Sequence, residues 1–79
     1  MVAYKQIDET ELEVVYEYYP ENHRDDKGKV SISKKDGSIS IIEYAPSDDV
    51  KIYIRKVLAQ LRQFYKSGEY LNEGKVIWY

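Results

Sequence analysis

The chain of 79 residues has no cysteine, two prolines, four glycines and a single histidine. Without cysteine there is no disulfide, no thiolate nucleophile and no Cys/His set for a structural zinc. Gly28, Gly37, Gly68 and Gly74 are scattered, so no glycine-rich loop can cradle a phosphate. Six serines stand without the G-x-S-x-G context of a nucleophile elbow. No apolar run approaches the ~20 residues of a membrane span. The opening Met-Val-Ala-Tyr-Lys-Gln has no apolar stretch typical of an export signal. These absences point to a soluble cytoplasmic protein that is not an enzyme and takes no cofactor or metal.

What is abundant is tyrosine. There are nine, against one Phe and one Trp. An apolar ring with a polar hydroxyl suits half-buried positions and recognition surfaces better than a dry core. Charge is also uneven. Residues 1–26 carry eight acids against Lys5 and Arg24, while residues 27–79 carry ten Lys/Arg against six acids. The net charge of −2 disfavours general nucleic-acid binding, and the split implies internal pairing or two faces of opposite sign.

Residues 1–9 show no sustained pattern and are expected to form a flexible N-terminal arm before a single α+β domain over 10–79. Residues 11–19 alternate, with Leu12, Val14, Tyr16 and Tyr18 on one face, as in a half-buried strand that Pro20 ends. A polar loop follows. A second strand over 29–34 carries Val30 and Ile32 inward, and Asp36-Gly37 predicts a tight type I′ hairpin turn. The third strand, 38–44, contains an Ile41-Ile42 doublet that breaks the period of two, through a bulge or because both faces are covered. Ser47 or Asp48 can cap a helix whose apolar stripe is Val50, Ile54, Val57, Leu58, Leu61, Phe64 and Tyr65, ending at Gly68. Residues 75–79 read as a short last strand, which could join its own sheet or another copy. The expected fold is a three-stranded antiparallel meander with one amphipathic helix packed on it and a short C-terminal strand, β-β-β-α-β.

Tyr18-Tyr19-Pro20-Glu21, Gly28-Lys29-Val30-Ser31-Ile32, Asp36-Gly37 and the terminal Trp78-Tyr79 resemble small uncharacterised proteins of Gram-positive bacteria over residues 16–79. The resemblance implies a bacterial cytoplasmic protein and brings no activity or catalytic residues.

Three constellations remain. His23 with Asp25 and Asp26 has the donor types for a divalent ion, but Arg24 and Lys27 oppose one, and a solvated loop is the expectation. Lys51, Arg55, Arg62 and Lys66 fall within about 60° on the helix, a basic stripe that could meet phosphates or simply be a solvated flank. Val15, Tyr19, Ile42 and Tyr44, with Trp78 and Tyr79, could form an apolar-aromatic patch on the uncovered sheet face. Glu11, Glu13 and Glu17 share that face and would repel a phosphate backbone. They are expected to be hydrated and to face Lys29 across the strands. The function expected is therefore a protein–protein interaction module: a homodimer, or an inhibitor, antitoxin or immunity-type partner. Nucleic-acid binding through the helix stripe is the alternative.

Overall fold

The computed structural model describes residues 1–78. Five strands and one helix follow in the order β1 (Val2–Glu9), β2 (Glu13–Pro20), β3 (Gly28–Ser33), β4 (Ile39–Glu43), α1 (Ile52–Ser67) and β5 (Glu73–Val76). The class is α+β, but the three-stranded meander is corrected to one antiparallel sheet of five strands, ordered β4-β3-β2-β1-β5.

The residues expected to form a loose arm are β1, paired with β2 on one side and β5 on the other. Two features hide this strand in the sequence. Gln6 occupies the row that Val2 and Tyr4 put into the core, with its Oε1 buried and unbonded. A register shift between Gln6 and Asp8 then breaks the alternation. Pairing along both edges stabilises what its side-chain pattern alone does not announce. β5 docks on β1 of its own sheet, beginning at Glu73 and ending at Val76 rather than covering 75–79; Tyr79 lies outside the described residues.

The helix lies over β1, β2 and β5. Val2, Tyr4, Val14, Tyr16, Tyr18, Val30 and Ile32 from the sheet meet Ile54, Val57, Leu61 and Phe64 from α1 in one buried cluster. Full burial of each large apolar side chain stabilises by about 1.5–3 kcal/mol. Of the positions expected in this core, Leu12, Val50 and Tyr65 lie outside it, Tyr65 with its ring over Gly37. Leu12 is 72 % exposed because it belongs to the β1–β2 turn, where the Thr10 hydroxyl accepts the N–H groups of Leu12 and Glu13. Val50 is also 72 % exposed, because the helix starts two residues after it.

The helix entry is organised from a distance. Asp48, 1 % exposed, accepts the backbone N–H of Tyr53 at Oδ1 (3.1 Å) and of Ile54 at Oδ2 (2.9 Å), satisfying donors that the first turn leaves free. Lys51, with φ of 60°, bends the chain so that this carboxylate reaches over the helix end. Tyr18 also donates to Asp48 Oδ2 (3.2 Å) and accepts the Ala45 N–H (2.9 Å). The Tyr18 ring crosses its cross-strand neighbour Gly28, and the Tyr4 ring likewise crosses Gly74. Glycine is required there because a Cβ at Gly28 would lie 2.2 Å from Tyr18 Cε1. The β3–β4 turn is not type I′, since Gly37 alone is left-handed (φ 76°). Lys34 to Asp36 form the turn, and Asp36 accepts the Ser38 N–H at 3.0 Å.

Among the described residues, no helix is long and apolar enough to cross a membrane.

Candidate interaction surface at the β4 edge

One face of the sheet carries α1, and the other is uncovered. Register fixes what the uncovered face presents. Glu73, Lys5, Glu17, Lys29 and Glu43 lie opposite one another in turn, one from each strand, in a row that alternates in sign across the whole sheet. Opposite charges on facing positions contribute roughly 0.2–1 kcal/mol each. The expected Glu17–Lys29 neighbourhood is part of this row. Glu17 is further held by Lys27 at 3.6 Å. A charge ladder thus crosses this face.

The residues proposed for a patch separate accordingly. Val15 sits half-buried on the uncovered face, between Asp8 and Ser31. Tyr19 is only 4 % exposed, opposite Ala3. Its hydroxyl donates to Glu17 at 2.7 Å, and the Arg24 guanidinium lies 4.3 Å from its ring centre. Burial, then the Glu17 carboxylate, raise its pKa. Tyr19 therefore has a structural task. Trp78 is on the helix side, where its ring meets Tyr53 edge-on at 5.8 Å and the Lys56 ammonium at 5.3 Å. Tyr79 lies outside the described residues. Ile42 and Tyr44 remain at the surface, 55 % and 43 % exposed.

Those two belong to a surface that the residue pattern had divided among other roles. β4 is an edge strand, and its residues after Ile39 are exposed. Ile41 shares the helix-side row with Val30, yet it is 38 % exposed because α1 lies over the other half of the sheet. The register shift between Lys29 and Val30 leaves Ile42 as the unmatched residue of a bulge. Tyr44 follows with the Lys51 ammonium 4.2 Å from its ring centre, and exposed Val50 precedes that lysine. Ile41, Ile42 and Tyr44 thus form an exposed apolar run along one open edge. The signal in the sequence was the Ile41-Ile42 doublet, but not its position at an edge.

The backbone of that edge is also specified. Ser33 N–H donates to the Ser38 carbonyl at 2.8 Å, which fixes the phase of the ladder, while the Ser33 carbonyl accepts the Gly37 N–H at 3.0 Å. Antiparallel pairing alternates, so Ser40 bonds inward to β3 while Ile39 and Ile41 direct their N–H and C=O groups away from the sheet. β5, the other edge, is four residues long and carries Glu73 and Lys75, charges that discourage pairing.

The basic stripe is partly consumed. Arg55 donates to the carbonyls of Lys51 (3.1 Å) and Val50 (3.4 Å), and the Lys51 ammonium donates to the Asp48 carbonyl at 3.2 Å. Arg62 and Lys66 are exposed. A surface groove of about 370 Å³ is lined by Ile52, Arg55, Lys56 and Ala59. In the His23 loop, Asp26 accepts the Ser47 N–H (3.1 Å) and a hydrogen bond from its hydroxyl, tying the β2–β3 loop to the helix approach. Among the described residues, no three His, Asp or Glu side chains converge on a metal position. Comparisons with protein-family models, curated proteins and solved structures gave no match.

Proposed function

We propose that this chain is a non-enzymatic protein–protein interaction module whose docking element is the β4 edge. The observation that carries this reading is an edge strand with outward-facing backbone groups at Ile39 and Ile41, flanked by exposed Ile41, Ile42 and Tyr44. Such an edge is a template for strand addition, in which backbone hydrogen bonds supply affinity and adjacent apolar side chains supply selectivity. The uncovered sheet face, crossed by its row of alternating charge, is suited to water rather than to an apolar partner.

The test is a pair of surface substitutions, Ile42→Lys and Tyr44→Ala, compared with the parent by sedimentation and by binding to candidate partners. Association of any kind should weaken at least tenfold while the circular dichroism spectrum is unchanged. Binding that survives both substitutions would refute the reading.

A second reading rests on α1, which carries Arg55, Lys56, Arg62 and Lys66 and no acidic residue over Ile52–Ser67. Such a surface suits a phosphate backbone. It ranks lower because Arg55 is already bonded to its own helix, and Lys56 lies against Trp78. Salt-dependent binding of DNA or RNA that disappears in Arg62→Glu/Lys66→Glu would reverse the order.

A further inference from the structure

We propose that the partner of the β4 edge is a second copy of this chain, paired antiparallel about a two-fold axis through Ser40, so that two five-stranded sheets become one of ten strands. The proposal rests on the interaction-module reading and names its partner and geometry.

Backbone alternation selects the register. Only Ile39 and Ile41 of the regular part of β4 present their N–H and C=O groups outward. Placing Ser40 opposite Ser40 of the second copy sets each Ile39 against the other copy's Ile41, and all four pairs of outward groups are then bonded. An axis through Ile39 or Ile41 leaves some of them unmatched. A two-fold perpendicular to the sheet also puts both helices on the same side. Ile39 and Ile41, which lie in the helix-side rows of Ile32 and Val30, then meet their counterparts and extend each core across the junction. The half-exposed state of Ile41 is what such a contact would remove.

Charge favours closure over open growth. Successive antiparallel pairings make β4 and β5 run in the same direction. Adding a copy head to tail, in register, would therefore bring its Glu73 beside Glu43, because the alternating row begins and ends on glutamate. Like charges on facing positions are destabilising. The two-fold arrangement instead separates the two Glu43 residues by six positions along the strands, about 20 Å. Each then falls opposite Gly37 of the other copy, in the turn that carries Lys34, Lys35 and Asp36. An isologous pairing of this kind closes after two copies. With so short a strand, the dissociation constant is expected on the order of 10–100 μM.

The absence of cysteine makes the test direct. Facing residues of a non-hydrogen-bonded antiparallel pair have Cα atoms about 4.5 Å apart, within disulfide range. Ser40→Cys should oxidise to a covalent dimer at 200 μM protein. Ser31→Cys, one strand further in on the same row, would face its counterpart across roughly 14 Å and should remain monomeric. Ile41→Lys should raise the dissociation constant at least tenfold in sedimentation equilibrium with the spectrum of the folded domain retained. Cross-linking of Ser40→Cys no faster than Ser31→Cys, or a wild type that sediments as a monomer at 1 mM, overturns the self-pairing. If that monomer still binds another protein through Ile42 and Tyr44, the interaction-module reading stands without the dimer. If it binds nothing, both are overturned.

Discussion

Adding one methyl group at Gly28 should damage this domain more than most single core truncations. The Cβ of Gly28→Ala would sit 2.2 Å from Cε1 and 2.6 Å from Cζ of Tyr18, and 2.7 Å from the backbone nitrogen of Ala45. Carbon atoms in contact prefer about 3.5–4.0 Å, so the ring or the strand must move by about 1.3 Å or more. Tyr18 has nowhere to go. It is fully buried, and its hydroxyl is fixed by the Ala45 N–H at 2.9 Å and Asp48 Oδ2 at 3.2 Å. Overpacking alone costs about 1–3 kcal/mol. Displacing the hydroxyl leaves a buried N–H and part of a buried carboxylate unsatisfied, at about 1–3 kcal/mol for each group. A loss of about 3–9 kcal/mol results, against a total stability of roughly 4–12 kcal/mol for a domain of this length. Urea unfolding followed by far-ultraviolet circular dichroism measures it, and with an m-value of about 1 kcal/mol/M the midpoint should fall by several molar units or the domain should be unfolded at 25 °C. In a Tyr18→Leu background the same glycine change should cost at least 2 kcal/mol less, because the ring that fills the space is gone. A loss below 1 kcal/mol, or the same loss with and without Tyr18, would refute the account.

Other perturbations probe separate parts of the molecule. Burial pushes the pKa values of Tyr16 and Tyr18 well above the ordinary tyrosine value, so the folded state holds protons that the unfolded chain releases above pH 10. The contribution of these two groups should be constant below that pH and fall above it by about 1.4 kcal/mol per pH unit for each. Urea midpoints between pH 9 and 12 check this, and an unchanged slope in Tyr16→Phe/Tyr18→Phe would count against it. Asp48→Ala should cost about 2–4 kcal/mol by removing the acceptor of two helix N–H groups and of the Tyr18 hydroxyl. Hydrogen exchange at Tyr53 and Ile54 should then speed up before exchange at Leu61 does. Lys29→Glu places like charges beside both Glu17 and Glu43 and should destabilise by about 1 kcal/mol at low salt. Most of that penalty should vanish in 1 M NaCl, where charges are screened beyond about 3 Å; a penalty insensitive to salt would mean that packing, not charge, was disturbed.

The tyrosines show how composition and role come apart. Their excess suggested a binding surface, but nearly all of those described have tasks inside the domain. Tyr4 and Tyr18 cover glycines in facing strands, and Tyr65 covers Gly37. Tyr16 donates to the Leu71 carbonyl at 2.7 Å and so anchors the approach to β5. Tyr53 donates to Glu21 at 2.9 Å, and Tyr19 is pinned between Glu17 and Arg24. A small sheet protein without disulfides uses ring and hydroxyl together, the ring for apolar area and the hydroxyl to hold loops that carry no strand pairing of their own. Of the residues first grouped as a surface, Ile42 and Tyr44 are the exposed pair at the β4 edge.

Period and local chemistry were enough to specify β2, β3, β4 and α1. Val14, Tyr16 and Tyr18 alternate, Ile54, Val57, Leu61 and Phe64 recur with the helical repeat, and Asp48 offers a cap, all properties of neighbouring residues that need no distant partner. They also fixed the doublet at Ile41-Ile42 as a break in the alternation. Only the tertiary structure decided that residues 2–9 are a strand between β2 and β5, because a strand with Gln6 on its core side and a bulge beside it is stabilised by pairing on two edges rather than by its own pattern. It alone decided that five charges spread over the chain stand in one row, and that β4 is left at the edge while the helix covers the opposite half of the sheet. Which strand is last in a sheet depends on which others pair, and that is a property of the whole chain that no local stretch of it contains.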